Sequence, residues 1–299
     1  MTSNKKKLLV TGASGFLGYN VCCAARSRWD VFGVYFMHDI RIEGVRTIRC
    51  DLRGKARIEQ TFRELAPDAV VHCAAYPDPN KCEKDPQESF LVNVQASVTV
   101  AALAAKRGIP CVFTSTDLVF DGTEPPYDET AKPTPVNLYG QHKLEAEKKM
   151  KKAYPGVIIC RMPLMFGDPG PCAKSFIQPM IAALREKKQV TLFSDEVRTP
   201  VSGMTAAKGL LCALDKGSGV LHLGGRQRIS RYEFGLMLAE ALHADPSLVV
   251  PALQSSVTMA ARRPPDVSLT SEKAYGLGYS PAPLAQQLGE LDCVRSGTK

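Results

Sequence analysis

The sequence has no apolar run that approaches the roughly 18 residues a membrane span needs. Behind the basic start Lys5-Lys6-Lys7, the stretch Leu8-Leu9-Val10 is too short for a signal h-region and breaks at once into a glycine turn. A mature soluble chain is therefore expected. It has ten cysteines but no C-x-x-C, so neither a zinc site nor a thioredoxin-like site is expected, and no metal site is assigned. Cys22 and Cys23 are adjacent, and Cys73, Cys111 and Cys160 lie in or beside apolar runs. That is cysteine used as a small core residue in a reducing compartment, which places the chain in the cytoplasm. No basic run exceeds Lys5–Lys7 and no nucleic-acid motif is present. There is no internal repeat and no long low-complexity tract.

What is present is an ordinary globular composition. A hydrophobic share of 44% with 23% charged residues excludes disorder, collagen and coiled coil as the main state. At 299 residues the chain is long enough for one or two domains. The charge sum, 38 − 30 = +8, favours an anionic partner without naming one.

The first half alternates short apolar runs with helical periods. Strands are expected at Leu8–Val10, Val31–Phe36, Thr47–Cys50, Ala69–Ala74, Pro110–Thr114 and Val157–Cys160. Helices are expected from near Phe16, at Arg57–Leu65, Gln87–Arg107 and Tyr139–Lys152. Strands buried on both faces and separated by helices imply a doubly wound α/β fold with a parallel sheet. After Gly167 the breaker Asp168-Pro169-Gly170-Pro171 loosens the pattern. Beyond it, helices are expected near Phe176–Lys187, Met204–Leu214 and Arg231–Leu242, with strands at Val190–Phe193 and Gly219–Leu223. The expected division is a dinucleotide-binding domain over 1–166, rejoined by about 200–225, and a smaller substrate lobe from about 167–199 and 226–299.

Thr11-Gly12-Ala13-Ser14-Gly15-Phe16-Leu17-Gly18 follows the first strand and opens a helix. Gly12 permits a tight turn, Gly15 lets backbone approach a pyrophosphate, and Gly18 lets the helix pack on the strand. With Ser14, Phe16 and Leu17 these residues form an expected dinucleotide cradle at a helix N-terminus. An NAD site carries an acid at the end of the second strand for the ribose 2′-OH. Here that strand ends Tyr35-Phe36-Met37-His38, Asp39 comes slightly late, and Arg41 follows. His38 and Arg41 thus favour NADP(H) over NAD(H). Asp51, followed by Leu52, could accept a hydrogen bond from the adenine amino group.

Tyr139-Gly140-Gln141-His142-Lys143 contains Y-x-x-x-K, which puts phenol and ammonium on one helix face. The ammonium is expected to lower the phenol pKa and make Tyr139 a proton donor to a carbonyl receiving hydride. Ser115-Thr116-Asp117 offers hydroxyls at the C-terminal end of the preceding strand, where open α/β sheets place their chemistry.

Together the glycine loop, the hydroxyl and the Tyr139/Lys143 pair resemble the extended short-chain dehydrogenase/reductase superfamily. Ser115 to Gly122, Pro126-Tyr127-Asp128-Glu129, Pro135 to Gly140, Val71 to Tyr76 and Arg263 to Leu269 narrow the resemblance to the dTDP-4-dehydrorhamnose reductase family. The resemblance implies NAD(P)H-dependent reduction of a 4-keto nucleotide sugar. Thr116 would be the hydroxyl partner, Tyr139 the proton donor and Lys143 its activator and ribose anchor. Cys73, Ala74 and Ala75 would run along the nicotinamide side, and Asp117 and Phe120 would face the substrate. The chain is also similar to the regulatory β subunit of methionine adenosyltransferase, a binding subunit of the same fold. Arg161-Met162-Pro163-Leu164 leans that way, since reductases of the family often carry Arg-Thr-Ser-Trp there. An epimerase or dehydratase is a further alternative, although Thr116-Asp117-Leu118 supplies only one acid.

Arg198 and Arg263 offer planar forks for a nucleotide-sugar diphosphate. His72, inside an apolar strand, reads as core. The expected partner is a nucleotide-sugar small molecule, with no nucleic acid and no membrane; a homodimer is compatible with the sequence.

Overall fold

The computed structural model describes residues 5–291 and residue 294. The first half runs β1 (Lys7–Thr11), α1 (Phe16–Ala25), β2 (Asp30–Tyr35), β3 (Val45–Arg49), α2 (Lys55–Leu65), β4 (Ala69–His72) and α3 (Pro79–Lys84). Next come α4 (Pro86–Phe90), a π turn (Leu91–Ala96), α5 (Ser97–Arg107), β5 (Cys111–Thr116), α6 (Leu138–Ala153), β6 (Ile158–Met162) and β7 (Met165–Phe166). The second half holds α7 (Ile177–Arg185), β8 (Val190–Phe193), β9 (Val197–Arg198), β10 (Val201–Ser202), α8 (Gly203–Lys216) and β11 (Val220–His222). It closes with β12 (Ile229–Ser230), α9 (Arg231–Ala241), β13 (Val249–Ala252), α10 (Glu272–Gly276) and α11 (Leu284–Gly289).

Seven strands form one parallel sheet in the order β11-β6-β5-β4-β1-β2-β3. This is a Rossmann-like doubly wound fold, with its switch point between β1 and β4. Strand alternation feeds two cores. Leu8, Val10, Val71 and Cys160 face α1 and α8, while Leu9, Val70, Phe113 and Ile159 face α2, α5 and α6. Each fully buried Leu, Val or Phe contributes about 1.5–3 kcal/mol against exposure. A third core gathers Phe166, Ile181, Phe234, Leu238 and Leu288 from α7, α9, α11 and their strands, with β8 and β13 paired beside it.

Three expectations change. Ser115 and Thr116 belong to β5 itself, whose ladder with β6 runs through Thr116–Met162. The helix expected from Gln87 contains the π turn. That run, Pro86–Arg107, has 22 residues and is long and apolar enough in composition to cross a membrane, contrary to the expectation of no such stretch. Its Ser, Asn and Thr residues hid it from a search for unbroken apolar runs. In the fold it is a core helix: Ser89, Asn93 and Ser97 share its inner face, bonded to His142, Tyr76 and His72 respectively. The nine described cysteines are all free; Cys293 lies outside the described residues.

Candidate active site

A cavity of about 1250 Å³ opens along the C-terminal ends of β1, β2, β4 and β5 and extends to β9 and the segment carrying Arg263. Its glycine wall leaves β1 at Gly12, which has φ +72°; a Cβ there would lie 2.8 Å from the Ala74 backbone. A Cβ on Gly18 would sit 2.1 Å from the Gly12 carbonyl oxygen, so α1 packs directly on the loop. Gly15 caps α1 without a side-chain bond, and the first turn carries no acid, leaving helix N–H groups for an anion. Gly12, Ser14, Gly15, Phe16, Leu17 and Gly18 all line the cavity. The loop is pinned from beneath: Thr11 Oγ1 lies 2.6 Å from His72 Nδ1 and accepts from the Ala74 N–H at 3.2 Å. Burial pushes His72 down to about 3, so it is a neutral core residue, as its sequence position suggested. Cys73, Ala74 and Ala75 continue the wall, and burial pushes the Cys73 thiol up to about 12. This backbone cradle fits a dinucleotide pyrophosphate.

At the end of β2, Tyr35, Phe36, Met37 and His38 line the cavity, but Asp39 does not. The neighbouring Asp39 carboxylate raises the Tyr35 phenol. Arg41 is exposed and is not among the residues that line the cavity. Asp51 and Leu52 do line it. Sequence reading missed Arg53, whose Nε and Nη2 donate to Asp51 at 2.9 and 2.7 Å, while Nη1 donates to Glu88 at 3.0 Å. These bonds hold the Asp51 carboxyl below its usual range. The guanidinium also covers the Phe36 ring at 4.8 Å.

Thr116, Tyr139 and Lys143 meet on the opposite wall. Asn137 starts α6 by accepting the Gly140 N–H at 2.9 Å, which fixes Tyr139 in the first turn. The Thr116 hydroxyl donates to Asp117 Oδ1 at 3.1 Å and lines the cavity together with the Tyr139 phenol. The phenol pKa is raised, not lowered as expected: burial dominates and the Asp117 charge adds to it. Burial pulls the Lys143 ammonium down to about 7, opposed by Glu147 one turn on. Lys143 Nζ sits 4.1 Å from the centre of the Phe113 ring. Glu147 is itself buried, accepting Ser115 Oγ at 2.5 Å and Arg161 Nη2 at 2.9 Å.

Asp117 is buried beside Thr116, and burial pushes it up to about 6 against the pull of Arg198. Arg198 Nε stands 3.6 Å from Asp117 Oδ2, too far for a hydrogen bond, so that oxygen has no hydrogen-bond partner. The fork of Arg198 turns inward: Nη1 donates to the Val197 carbonyl at 2.8 Å and Nη2 pairs with Glu196 at 3.3 Å. Arg198 lines the cavity as expected of a substrate-side residue, with these donors directed to protein acceptors. Arg263 lines the cavity with a buried Nη1 that has no hydrogen-bond partner among the described residues. Phe120 does not line the cavity; it stacks on Tyr127 at 4.1 Å in an apolar cluster with Val119, Val267 and Leu269. It is therefore misplaced as a substrate contact. Among the described residues no group of three or more His, Cys, Asp or Glu is placed to hold a metal ion.

The chain is similar to several known proteins. A protein named "Probable low-salt glycan biosynthesis reductase", from Haloferax volcanii, is 30% identical over 96% of this chain and 97% of its own. Methionine adenosyltransferase 2 subunit beta of Danio rerio is 28% identical over 92% and 86% respectively. A crystal structure of a hypothetical dTDP-4-dehydrorhamnose reductase from Sulfolobus tokodaii superposes with a TM-score of 0.79 at 30% identity, covering 90% of this chain and 94% of that one. The RmlD substrate binding domain model matches residues 6–291, and the chain belongs to that family.

Proposed function

We propose that this chain is an NAD(P)H-dependent reductase of a 4-keto nucleotide sugar, of the short-chain dehydrogenase/reductase type. One observation carries the reading: Thr116, Tyr139 and Lys143, the last one turn further along α6, line the same cavity as the glycine cradle. The names of the reductase relatives support it. In this reading residues 1–166, rejoined by about 200–225, hold the cofactor, and about 167–199 and 226–299 hold the sugar nucleotide.

Bound nicotinamide would supply hydride to the keto carbon. Tyr139 keeps its proton at neutral pH because burial raises the phenol, and it gives that proton to the oxygen as alkoxide character develops. Thr116 orients the same oxygen. Lys143 titrates near neutrality and carries the replacement proton to the phenolate. Arg263 offers its free Nη1 to the diphosphate. Met162, Pro163 and Leu164 border the sugar. NADP(H) is the favoured cofactor because no acid lines the cavity at the end of β2.

Replacing Tyr139 by Phe tests the mechanism. Turnover of a keto-sugar nucleotide should fall by about 10²–10⁴-fold while cofactor still binds. Full turnover by the variant would sink it. The likeness to methionine adenosyltransferase 2 subunit beta supports a second reading, a cofactor-binding regulatory subunit. A stable complex with a partner enzyme, together with no NADPH oxidation across a panel of keto-sugar nucleotides, would favour that reading.

A further inference from the structure

Resting on the dinucleotide reading of the cavity, we infer that residues 168–174 form a strap across its adenosine end and that Lys174 selects the 2′-phosphate of NADP(H). The strap joins β7 to α7 and is fastened at three points. The Asn20 side-chain amide, on α1 just behind the glycine loop, donates to the Asp168 carbonyl at 3.0 Å. Gly170 lies flat against the Tyr19 ring, where a Cβ would come within 2.6 Å of ring carbon. The Cys172 thiol reaches the Asp39 carbonyl at 3.4 Å.

That last contact places the strap against the chain leaving β2. His38 precedes Asp39 and Lys174 follows Cys172 by two positions, and both line the cavity. The end of the second strand is where a dinucleotide fold meets the adenosine ribose. Asp39, the acid that would take a free 2′-hydroxyl, is not among the residues that line the cavity. Its removal from the wall disfavours NAD(H), and a cation nearby favours a phosphate dianion.

The other lining cations are engaged or stand elsewhere. Arg53 is bonded to Asp51 and Glu88, and Arg198 to Val197 and Glu196. Lys143 is buried over Phe113, and Arg263 belongs to the wall with Tyr139 and Glu196. Lys81 rises from α3, whose two ends are the acids Asp78 and Asp85. Lys174 is exposed and has no ion-pair partner among the described residues. A flexible ammonium on a fastened strap suits a solvent-facing phosphate.

The test titrates the whole chain with NADPH and with NADH, following cofactor fluorescence, for wild type, Lys174→Ala and Lys174→Glu. Wild type should prefer NADPH, and added salt should weaken NADPH more than NADH. Lys174→Ala should lose roughly tenfold in NADPH affinity with NADH changed less than about twofold, and Lys174→Glu should reverse the preference. Equal weakening of both cofactors, or no change in either, overturns the assignment to Lys174. Binding of neither cofactor by the wild type overturns the dinucleotide reading beneath it, a distinct outcome.

Discussion

The two long walls of the cavity are built differently. The glycine wall is backbone: a turn at Gly12, a helix start at Gly15 and carbonyl contacts that leave no room for side chains. The arginine wall is side chains, in which buried Asp117 and Arg198 and half-buried Glu196 balance one another and Arg263 keeps an unused donor. A backbone wall tolerates a change of side-chain charge but not of shape. A charge ladder does not tolerate loss of its shared cation, and its stability depends on the protonation of its acids.

The largest effect should come from the ladder. Arg198→Met leaves Asp117 and Glu196 without their shared cation and should cost about 3–5 kcal/mol at neutral pH, read from urea unfolding. The loss should shrink below about pH 6, where Asp117 takes up its proton. A neutral result would show that the ladder is decorative and that the two walls are alike. Next comes the glycine wall: Gly18→Ala drives a Cβ into the Gly12 carbonyl and should cost about 1–3 kcal/mol, with cofactor affinity lost in parallel. Retained affinity would show that the cradle can shift.

The smallest effect is a slope. The folded Asp117 carboxyl sits near 6, above its ordinary 3.8, so the folded state holds that proton more tightly. Its contribution to stability is complete below about 3.8 and is lost as pH rises through about 6. Across that window the wild-type urea midpoint should fall relative to Asp117→Asn; parallel curves would remove Asp117 from the ladder.

The same contrast decides what could be read in advance. The strands of the sheet are runs of three to six residues, fully buried in β4, β5 and β6, and the glycine loop sits between the first strand and its helix, so local pattern located both. Tyr139 and Lys143 were legible because one helical turn links them. By contrast β7, β9, β10 and β12 have two residues each, shorter than any period can register. The inward turn of Arg198 and the capture of Asp51 by Arg53 depend on partners brought together by folding. So does the raised phenol of Tyr139: spacing shows the neighbouring lysine, but only packing shows how completely water is excluded.

The strand β11 gives the sheet a particular order of assembly. The chain leaves the sheet at Met162 and returns to its edge only at Val220, after β7 to β10 and α8 have been made. On a translating ribosome, β6 therefore waits with one edge unpaired, and the flank of α1 that α8 covers waits exposed. A nascent chain stalled in that interval carries an open strand edge and a bare apolar helix face together, the two features that most invite aggregation. The completed strand order thus makes this stretch of synthesis the one most in need of a chaperone.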